Sequence, residues 1–387
     1  MATLKNMRVK KVVIVTNIPN PYRIPLFNEV NKQLAENGIT LKVIFGSLGY
    51  SRRQYDINMK DCAFDYAVLN SPKFDLGDQE KTYFTYKGIL TAVNKEKADV
   101  IIVGGYSMVT IRLWLQSFFK KTKYVIWSGS VHREGYYDSW MRRMVRKLVT
   151  SRASAFIAYG SKAKKYLLDL GADEKKIFIA RNTVDTEFFS KRSDEIRASK
   201  SPENKFRFTY VGFITIRKNL QKLLEAIRLL ASKRKDFVID LVGEGDDKAL
   251  FEKYVKDNGL QEVVHFAGFV QKSEVAGYLG RSSCFVFPSE YDIWGLVVNE
   301  AMAAGLPCIS SEKSGVTEDL IVDGQTGFAL DFSDIEKVAE KMNWMIDHPK
   351  EAAQIGANAR AFLREQASIP VAASGFLKTI DYLADNQ

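Results

Sequence analysis

Two acidic residues flank a glycine that precedes a helical segment in the second half of the chain. Asp292 lies three residues before Gly295, and Glu300 lies five residues after it. The first amides of a helix have no partner within the helix, so they attract anions such as phosphate. Carboxylates beside them are suited to accept hydrogen bonds from sugar hydroxyls. The pattern therefore indicates a site for a sugar phosphate, although a capping role for Asp292 and a solvated Glu300 would give the same spacing.

The segment Phe285–Ile309 resembles the E-x7-E region of the family 4 retaining glycosyltransferases, which have the GT-B fold. The resemblance implies that Glu300 holds the ribose hydroxyls of a nucleotide-sugar donor and that Asp292 positions the donor sugar. Asp292 stands where the family has a glutamate, which shortens its reach by one methylene. The resemblance also implies that the donor and its diphosphate are bound by Trp294, Gly295, Leu296 and Val297.

A second segment, Tyr210–Leu220, reads as a strand, a glycine turn and a basic pair before a helix. It resembles the stretch of the same family in which an arginine and a lysine clamp the donor diphosphate. Lys218 falls on the lysine position, but Phe213 occupies the arginine position, so we expect Arg217 to supply that charge. A basic pair at a helix start opposes the helix dipole, which favours a role at a phosphate over a solvated pair. Gly212 is expected to line the same site.

Two further turns agree with this resemblance. Leu241–Asp246 places Gly243 after a strand, in a turn that is not the glycine fingerprint of nicotinamide-binding proteins. Val264–Val270 resembles the strand and turn whose backbone contacts the nucleotide base, which implies roles for Phe269 and Val270. The resemblance implies a UDP- or GDP-sugar as substrate, with no cofactor and no metal.

The first half carries fewer specific signals. Arg23 lies between the first strand and the first helix, where it is expected to reach a donor phosphate or an anionic acceptor, or to form only a structural turn. Gly105 follows another strand and is expected to line the same cleft. His132 lies near the position where related enzymes have a histidine at the reacting sugar, so it is a candidate catalytic residue with Asp292, Lys218 and Arg217.

Short apolar runs alternate with helical segments in both halves, as in a parallel sheet covered on both faces. We therefore predict an α/β protein of the GT-B type, with two Rossmann-like, doubly wound domains that face an interdomain cleft. The predicted acceptor-side domain spans residues 1–190, and a polar linker spans 191–204. The predicted nucleotide-sugar-binding domain spans 205–365, and a C-terminal helix over 366–387 returns to the first domain.

Composition limits the setting of the protein. Three widely spaced cysteines in 387 residues argue against a disulfide framework, and we find no apolar run long enough for a membrane span and no signal-peptide pattern. A cytoplasmic protein is expected. Residues 1–190 carry a net charge of +14 and the remainder −4. The stretches 112–123 and 139–149 combine basic residues with an apolar face. They could dock on the inner face of an anionic membrane, or their apolar residues could simply face the core. No motif supports nucleic-acid binding.

The sequence therefore predicts a retaining, metal-independent glycosyltransferase of polysaccharide biosynthesis that acts on a hydroxyl of a glycan or lipid-linked acceptor. Two alternatives remain open at this point, a sugar-nucleotide epimerase of the same fold and a non-catalytic two-domain sugar-binding protein. The sugar, the base and the acceptor are not determined by the sequence.

Overall fold

A computed structural model describes residues 9–49, 57–75, 82–120, 122–132, 139–199 and 205–386. The chain divides into two compact units. Unit 1 extends to Asn182 and resumes at Ile369, and unit 2 is Thr183–Ser368. Each unit has its own parallel sheet, with seven strands in unit 1 and six in unit 2. The predicted α/β fold class with two doubly wound domains is confirmed.

Unit 1 begins with a strand and a helix and then alternates between them, as predicted. Its strands are β1 Lys11–Thr16, β2 Thr40–Phe45, β3 Asp65–Val68, β4 Lys73–Asp75, β5 Thr82–Phe84, β6 Val100–Gly104, β7 Lys123–Ser128, β8 Ala155–Ala158 and β9 Ile177–Ile179. Its helices are α1 Ile24–Ala35, α2 Ile89–Glu96, α3 Met108–Gln116, α4 Trp140–Ser151 and α5 Ser161–Asp169. The sheet order is β3-β2-β1-β6-β7-β8-β9, and β4 and β5 form a separate antiparallel pair.

Unit 2 opens with helix α6, Thr186–Ser199, and continues with six strands. The strands are β10 Phe206–Val211, β11 Phe237–Val242, β12 Val264–Gly268, β13 Cys284–Phe287, β14 Cys308–Ser311 and β15 Gly327–Leu330. The helices are α7 Leu220–Ala231, α8 Lys248–Asp257, α9 Lys272–Arg281, α10 Leu296–Ala303, α11 Gly315–Leu320, α12 Ile335–Asp347 and α13 Pro349–Ala367. The sheet order is β12-β11-β10-β13-β14-β15.

The central strands of unit 2 are buried on both faces, which explains their continuous apolar runs. All six residues of β11 are buried, and β13 is buried throughout. Helices on both sides of the sheet cover these strands, so the alternation of polar and apolar residues seen in half-exposed strands is absent. The loops at the carboxyl ends of these strands lie where doubly wound sheets commonly bind ligands.

The segment predicted as a linker is largely helical. Residues 191–199 form the C-terminal part of α6, and residues 200–204 lie outside the described residues. Ser193 is buried and its hydroxyl donates to the carbonyl of Ala276 in α9, while Ile196 packs against Gly280. Only a narrow stripe of small and apolar residues packs this helix against α9. Most of its other residues are polar, and for that reason the segment resembles a linker in composition. The division between the units falls instead at Asn182 and Thr183.

The C-terminal segment forms helix α14, Ile369–Asp385, which belongs to unit 1. Gly375 lets it approach β9 closely, since a Cβ at that position would lie 2.6 Å from the carbonyl oxygen of Ile179. Phe376 contacts the ring of Trp127 with centroids 5.2 Å apart. Within the described part of the chain, no helix is both long and apolar enough to span a bilayer.

Candidate functional site

The two predicted donor-binding segments meet at one place in unit 2. The loop after β10 and the loop after β13 leave neighbouring strands at the point where the strand order reverses. Crevices at the carboxyl ends of such strands are the usual ligand sites of doubly wound sheets. Arg217 and Lys218 lie on the first loop, and Asp292 and Gly295 lie on the second. The fold therefore brings together residues that are 74 positions apart in the chain.

Lys218 and Asp292 form a shielded ion pair. The Nζ atom of Lys218 lies 2.6 Å from Oδ2 of Asp292, and Lys218 is only 7% exposed. The other carboxylate oxygen of Asp292 accepts the backbone N–H of Trp294 at 3.3 Å. Asp292 thus orients Lys218 and the loop, and its contact with the donor sugar stays a prediction. An ammonium group has three donors, so Lys218 keeps two for another ligand.

Arg217 connects the same two loops. Its guanidinium donates to the backbone carbonyl of Tyr291 at 3.0 Å. Both basic residues lie on a short 3₁₀ turn, Ile216–Lys218, that precedes α7. Each therefore crosses from the β10 loop to the β13 loop. The pair concentrates two positive charges beside the start of α10, and the Asp292 carboxylate pairs with that of Lys218.

Helix α10 begins where the β13 loop is held most tightly. Gly295 has a φ of 109°, and a Cβ on it would lie 2.8 Å from the Phe287 ring. Glycine is therefore required for the chain to turn into the helix here. Leu296 and Val297 follow as the first helical residues, so their amides have no acceptor within the helix. This geometry fits the predicted anion-binding end.

Trp294 differs from its predicted role. Its indole is buried at 2% exposure, and Nε1 donates to the side-chain oxygen of Asn299 at 2.9 Å. The ring therefore packs inside unit 2 and fixes the loop against α10. The family resemblance implied a place for Trp294 at the donor, because it lies directly before Gly295. The buried Asn299, one turn into the helix, gives the indole N–H a partner in the interior instead.

Glu300 lies on α10, half-buried, and its carboxylate has no hydrogen-bond or ion-pair partner among the described residues. Burial raises the pKa of Glu300 to about 7, and the nearby charge of Lys272 opposes that rise. A carboxyl group without a protein partner and with a pKa near neutral pH can accept hydrogen bonds from ligand hydroxyls. This environment is the one expected of a residue that binds ribose.

Lys272 was not singled out from the sequence. It is the first residue of α9, and its ammonium lies 4.3 Å from the Phe188 ring centroid and 3.8 Å from Oδ2 of Asp185. Its electrostatic effect on Glu300 places it near the predicted ribose residue. The sequence offered one signal for a place at the site: Lys272 follows Val270, a predicted base-contacting residue, by two positions.

Glycines at the ends of β10, β11 and β12 let the backbones of three neighbouring segments approach one another closely. The N–H of Gly212 donates to the carbonyl of Val242 at 3.0 Å, and the N–H of Gly243 donates to Gly268 at 2.8 Å. A Cβ on Gly243 would lie 1.9 Å from the carbonyl oxygen of Gly212. The structure thus gives Gly243 a packing role between loops. A ligand contact for it, or for Gly212, stays a prediction.

At the end of β12, Phe269 presents an open ring. It is 50% exposed, whereas the adjacent Val270 is half-buried. Such a ring can stack on a nucleobase. Two other apolar side chains at the same edge, Phe213 and Ile293, are also exposed.

Two of the predicted residues of unit 1 meet at Trp127 of β7: the N–H of Gly105 donates to its backbone carbonyl at 2.8 Å, and the guanidinium of Arg23 lies over its ring. Gly105 has a φ of 66° and follows β6, with open space where a Cβ would be. His132 pairs with Asp169, the last residue of α5, and its ring packs edge-on against Tyr166. A contact of His132 with the reacting sugar stays a prediction.

In sequence, the chain is similar to known glycosyltransferases. Residues 191–362 match the model of the family glycosyl transferases group 1. The chain is 26% identical over 214 residues to an uncharacterized glycosyltransferase, YqgM, of Bacillus subtilis, which covers 55% of this chain and 57% of that protein. It is 30% identical over 179 residues to the amylovoran biosynthesis glycosyltransferase AmsK of Erwinia amylovora, covering 45% of this chain and 42% of that protein. The chain thus spans about half the length of these curated relatives.

The fold has many solved counterparts. A crystal structure of HepE from Anabaena in complex with UDP superposes with a TM-score of 0.76 at 16% identity, covering 96% of this chain and 100% of that one. A sucrose-phosphate synthase from Thermosynechococcus elongatus gives 0.75 at 17% identity, covering 98% and 100%. At this identity the likeness establishes the fold, and the predicted GT-B type is confirmed.

Proposed function

We propose that this chain is a glycosyltransferase that moves a sugar from a nucleoside-diphosphate donor to a hydroxyl of a glycan or lipid-linked acceptor. One observation carries the proposal. The start of α10 lies between a Lys218–Asp292 pair and the unpartnered carboxylate of Glu300. Positive charge and helix amides suit a diphosphate, and the free carboxylate suits ribose hydroxyls. The match of this unit to the group 1 family supports the same conclusion.

In the proposed complex, Lys218 and Arg217 stabilise the negative charge that grows on the departing diphosphate. Lys218 has two ammonium hydrogens beyond the one directed at Asp292, so the ion pair orients it without consuming it. The amides of Leu296 and Val297 add to this stabilisation, and their direction is fixed before the reaction begins. Glu300 holds the ribose. Asp292 acts as a positioning residue for Lys218.

We further propose that the transfer retains the anomeric configuration and needs no metal. Two cations and a helix end supply the charge that a divalent ion would otherwise provide at a diphosphate. The resemblance to retaining enzymes implies that the acceptor hydroxyl attacks the anomeric carbon from the face that the diphosphate leaves. The bond between that carbon and the diphosphate breaks, and a diphosphate oxygen takes the acceptor proton. Because AmsK bears the name of an amylovoran biosynthesis enzyme, polysaccharide assembly is the proposed setting.

Binding and turnover test this function. Isothermal titration with UDP, GDP, UDP-glucose and GDP-mannose should show binding for one base and little for the other. Product analysis with the bound donor and EDTA should show sugar transfer only when an acceptor is added. Consumption of donor without acceptor, with an epimerised sugar, would identify an epimerase instead. Absence of any nucleotide binding would contradict the proposal.

We also propose that unit 1 docks on an anionic membrane, consistent with a cytoplasmic protein at the inner face. We define the apolar–basic surface by Phe118 and Phe119 after α3 and by Trp140, Met141 and Met144 on α4. Phe119 is 89% exposed and Trp140 is 72% exposed. Helix α4 contains four basic residues and no acidic residue, so its charge complements anionic lipid.

Co-sedimentation with vesicles tests this surface. Wild-type protein should bind vesicles that contain phosphatidylglycerol, and salt should weaken the binding. The double variant F119S/W140S should lose most of it, whereas Leu168→Ser, which alters an exposed leucine on α5, should bind normally. Equal binding to neutral and anionic vesicles, or wild-type binding by the double variant, would contradict the proposal.

A further inference from the structure

Unit 1 contains a cation that lacks a negatively charged partner. Arg23 donates through one terminal nitrogen to the Thr16 hydroxyl at 2.9 Å and through the other to the Tyr159 hydroxyl at 2.7 Å. Its guanidinium carbon lies 4.6 Å above the Trp127 ring. No carboxylate among the described residues lies within ion-pair distance of it. Its environment is therefore built from neutral groups alone.

This environment differs from that of other shielded arginines in the chain. Arg207, Arg234 and Arg360 each donate to an aspartate at 2.8 Å or less. Removing a guanidinium from water costs free energy that two hydroxyls and an aromatic face offset only in part. The Nε atom of Arg23 is in addition a buried donor with no acceptor in the described chain. Arg23 thus retains both charge and hydrogen-bonding capacity for a ligand.

The position of Arg23 is that of a ligand site. It follows β1 and reaches toward Trp127 of β7 and Tyr159 after β8, so it crosses the carboxyl edge where the sheet order passes from β1 to β6. That reversal of strand order is where doubly wound sheets bind ligands. Arg23 also occupies the N-cap of α1, where a cation opposes the helix dipole unless an anion joins it.

The surroundings hold Arg23 rigidly. Thr16, Trp127 and Tyr159 are all buried. A Cβ on Gly129 would lie 2.4 Å from the Tyr159 ring, so this glycine lets the ring pack against the backbone. A cation held in place by buried neighbours binds an oxyanion with little loss of conformational entropy.

We propose that Arg23 is the anion-binding residue of unit 1 and that it holds an oxyanion, phosphate or carboxylate, carried by the sugar acceptor. The inference rests on the proposed transferase function. The donor diphosphate already has Arg217, Lys218 and the α10 amides within unit 2, whereas Arg23 is a cation at the sheet edge of unit 1 with no carboxylate partner among the described residues. The enzyme is thereby assigned an anionic acceptor.

Calorimetry on the full chain tests this assignment with the donor site occupied. Wild-type protein is first titrated with UDP and GDP. It is then saturated with the nucleotide that binds and titrated with glucose 1-phosphate, glucuronate, inorganic phosphate and glucose. We expect at least one sugar anion to bind and glucose not to bind. Arg23→Gln should weaken that binding on the order of 10- to 100-fold, the range for a lost charge-assisted pair, and should leave nucleotide affinity unchanged.

Three variants separate binding from structure. Arg152→Gln removes an arginine of the same unit that is likewise held by neutral groups, the side chain and backbone carbonyl of Ser117, and it should bind the sugar anion as wild type does. Arg23→Lys keeps the charge and should retain part of the affinity if Arg23→Gln fails to fold. Tyr159→Phe removes one hydrogen bond to Arg23 and should weaken binding less than Arg23→Gln does.

The outcomes are distinguishable. Wild-type affinity for the sugar anion in Arg23→Gln, or binding of inorganic phosphate only, would overturn the proposal. A loss of nucleotide affinity in Arg23→Gln would assign Arg23 to the donor and would overturn it as well. If the wild-type protein binds no nucleotide at all, the transferase function fails, while the Arg23-dependent difference in anion binding is still measured.

Discussion

Replacing Glu300 by glutamine should make the protein more stable and less able to bind its donor. Burial raises the pKa of Glu300 to about 7 from an ordinary value of 4.5. Above pH 7 the ionised carboxylate therefore destabilises the folded state, by at most about 3 kcal/mol at 1.36 kcal/mol per pKa unit. Since the side chain is only half-buried, solvent screening reduces this to about 1–2 kcal/mol.

The sign of the pH dependence follows from the raised pKa. The folded state holds a proton that the unfolded state releases, so wild-type stability falls as the pH rises from about 4.5 to about 7. Urea unfolding should therefore show Glu300→Gln about 1–2 kcal/mol more stable than wild type at pH 8, with the difference shrinking toward pH 4. Glu252→Gln, at an exposed glutamate of α8, should match wild type throughout.

Donor binding should change in the opposite direction. The ionised carboxylate is the better acceptor for ribose hydroxyls, so wild-type affinity for UDP-glucose or GDP-mannose should rise between pH 6 and pH 8. Glu300→Gln should bind the donor roughly 10- to 100-fold more weakly at pH 8, with no such pH dependence. A variant that is no more stable and binds donor normally would refute both the burial of this carboxylate and its place at the ribose.

Three further changes test the rest of the site. Lys218→Met should lower kcat/KM about 100- to 1,000-fold in steady-state assays, because it removes charge stabilisation of the leaving diphosphate; a loss under tenfold would exclude that role. Asp292→Asn should cost about 2–4 kcal/mol in urea unfolding, because it leaves a shielded ammonium unpaired, while Glu290→Gln in the exposed pair with Lys313 should cost about 0–1 kcal/mol. Gly243→Ala should destabilise the fold by more than about 3 kcal/mol, because its Cβ would overlap a backbone oxygen. Gly38→Ala, at a positive φ but with open space around the Cβ, should cost about 1 kcal/mol. Equal losses of stability for Asp292→Asn and Glu290→Gln, or for Gly243→Ala and Gly38→Ala, would contradict the packing described.

Much of unit 2 could be predicted because residues next to its strands mark where the strands end. Its apolar runs at 206–211, 237–242, 284–287 and 327–330 predict strands with the limits that the structure shows for β10, β11, β13 and β15. Glycine or proline follows β10, β11 and β13 directly, and each strand is a short apolar run, so period and turn chemistry point to the same limits. The short strand β3 was missed because its residues are half-buried or exposed and show no apolar run.

The candidate site was predicted in its members but not in their contacts. The start of α10 at Gly295 and the proximity of Lys218 to Asp292 follow from parallel strands that end at one edge. The burial of Trp294 and the packing role of Gly243 do not, because each depends on which neighbour fills the space beside it. Lys272 was missed for the same reason.

The sequence alone therefore determined the alternation of strands and helices, the presence of two sheets and the loops that carry charge, since each depends on residues close together in the chain. The tertiary structure decided which charges are paired. It gave Lys218 a carboxylate and held His132 against Asp169. Among the residues that the structure describes, Arg23 and Glu300 have no partner of opposite charge in direct contact. Pairing depends on the distance and burial of groups from distant segments, and no local pattern encodes these quantities.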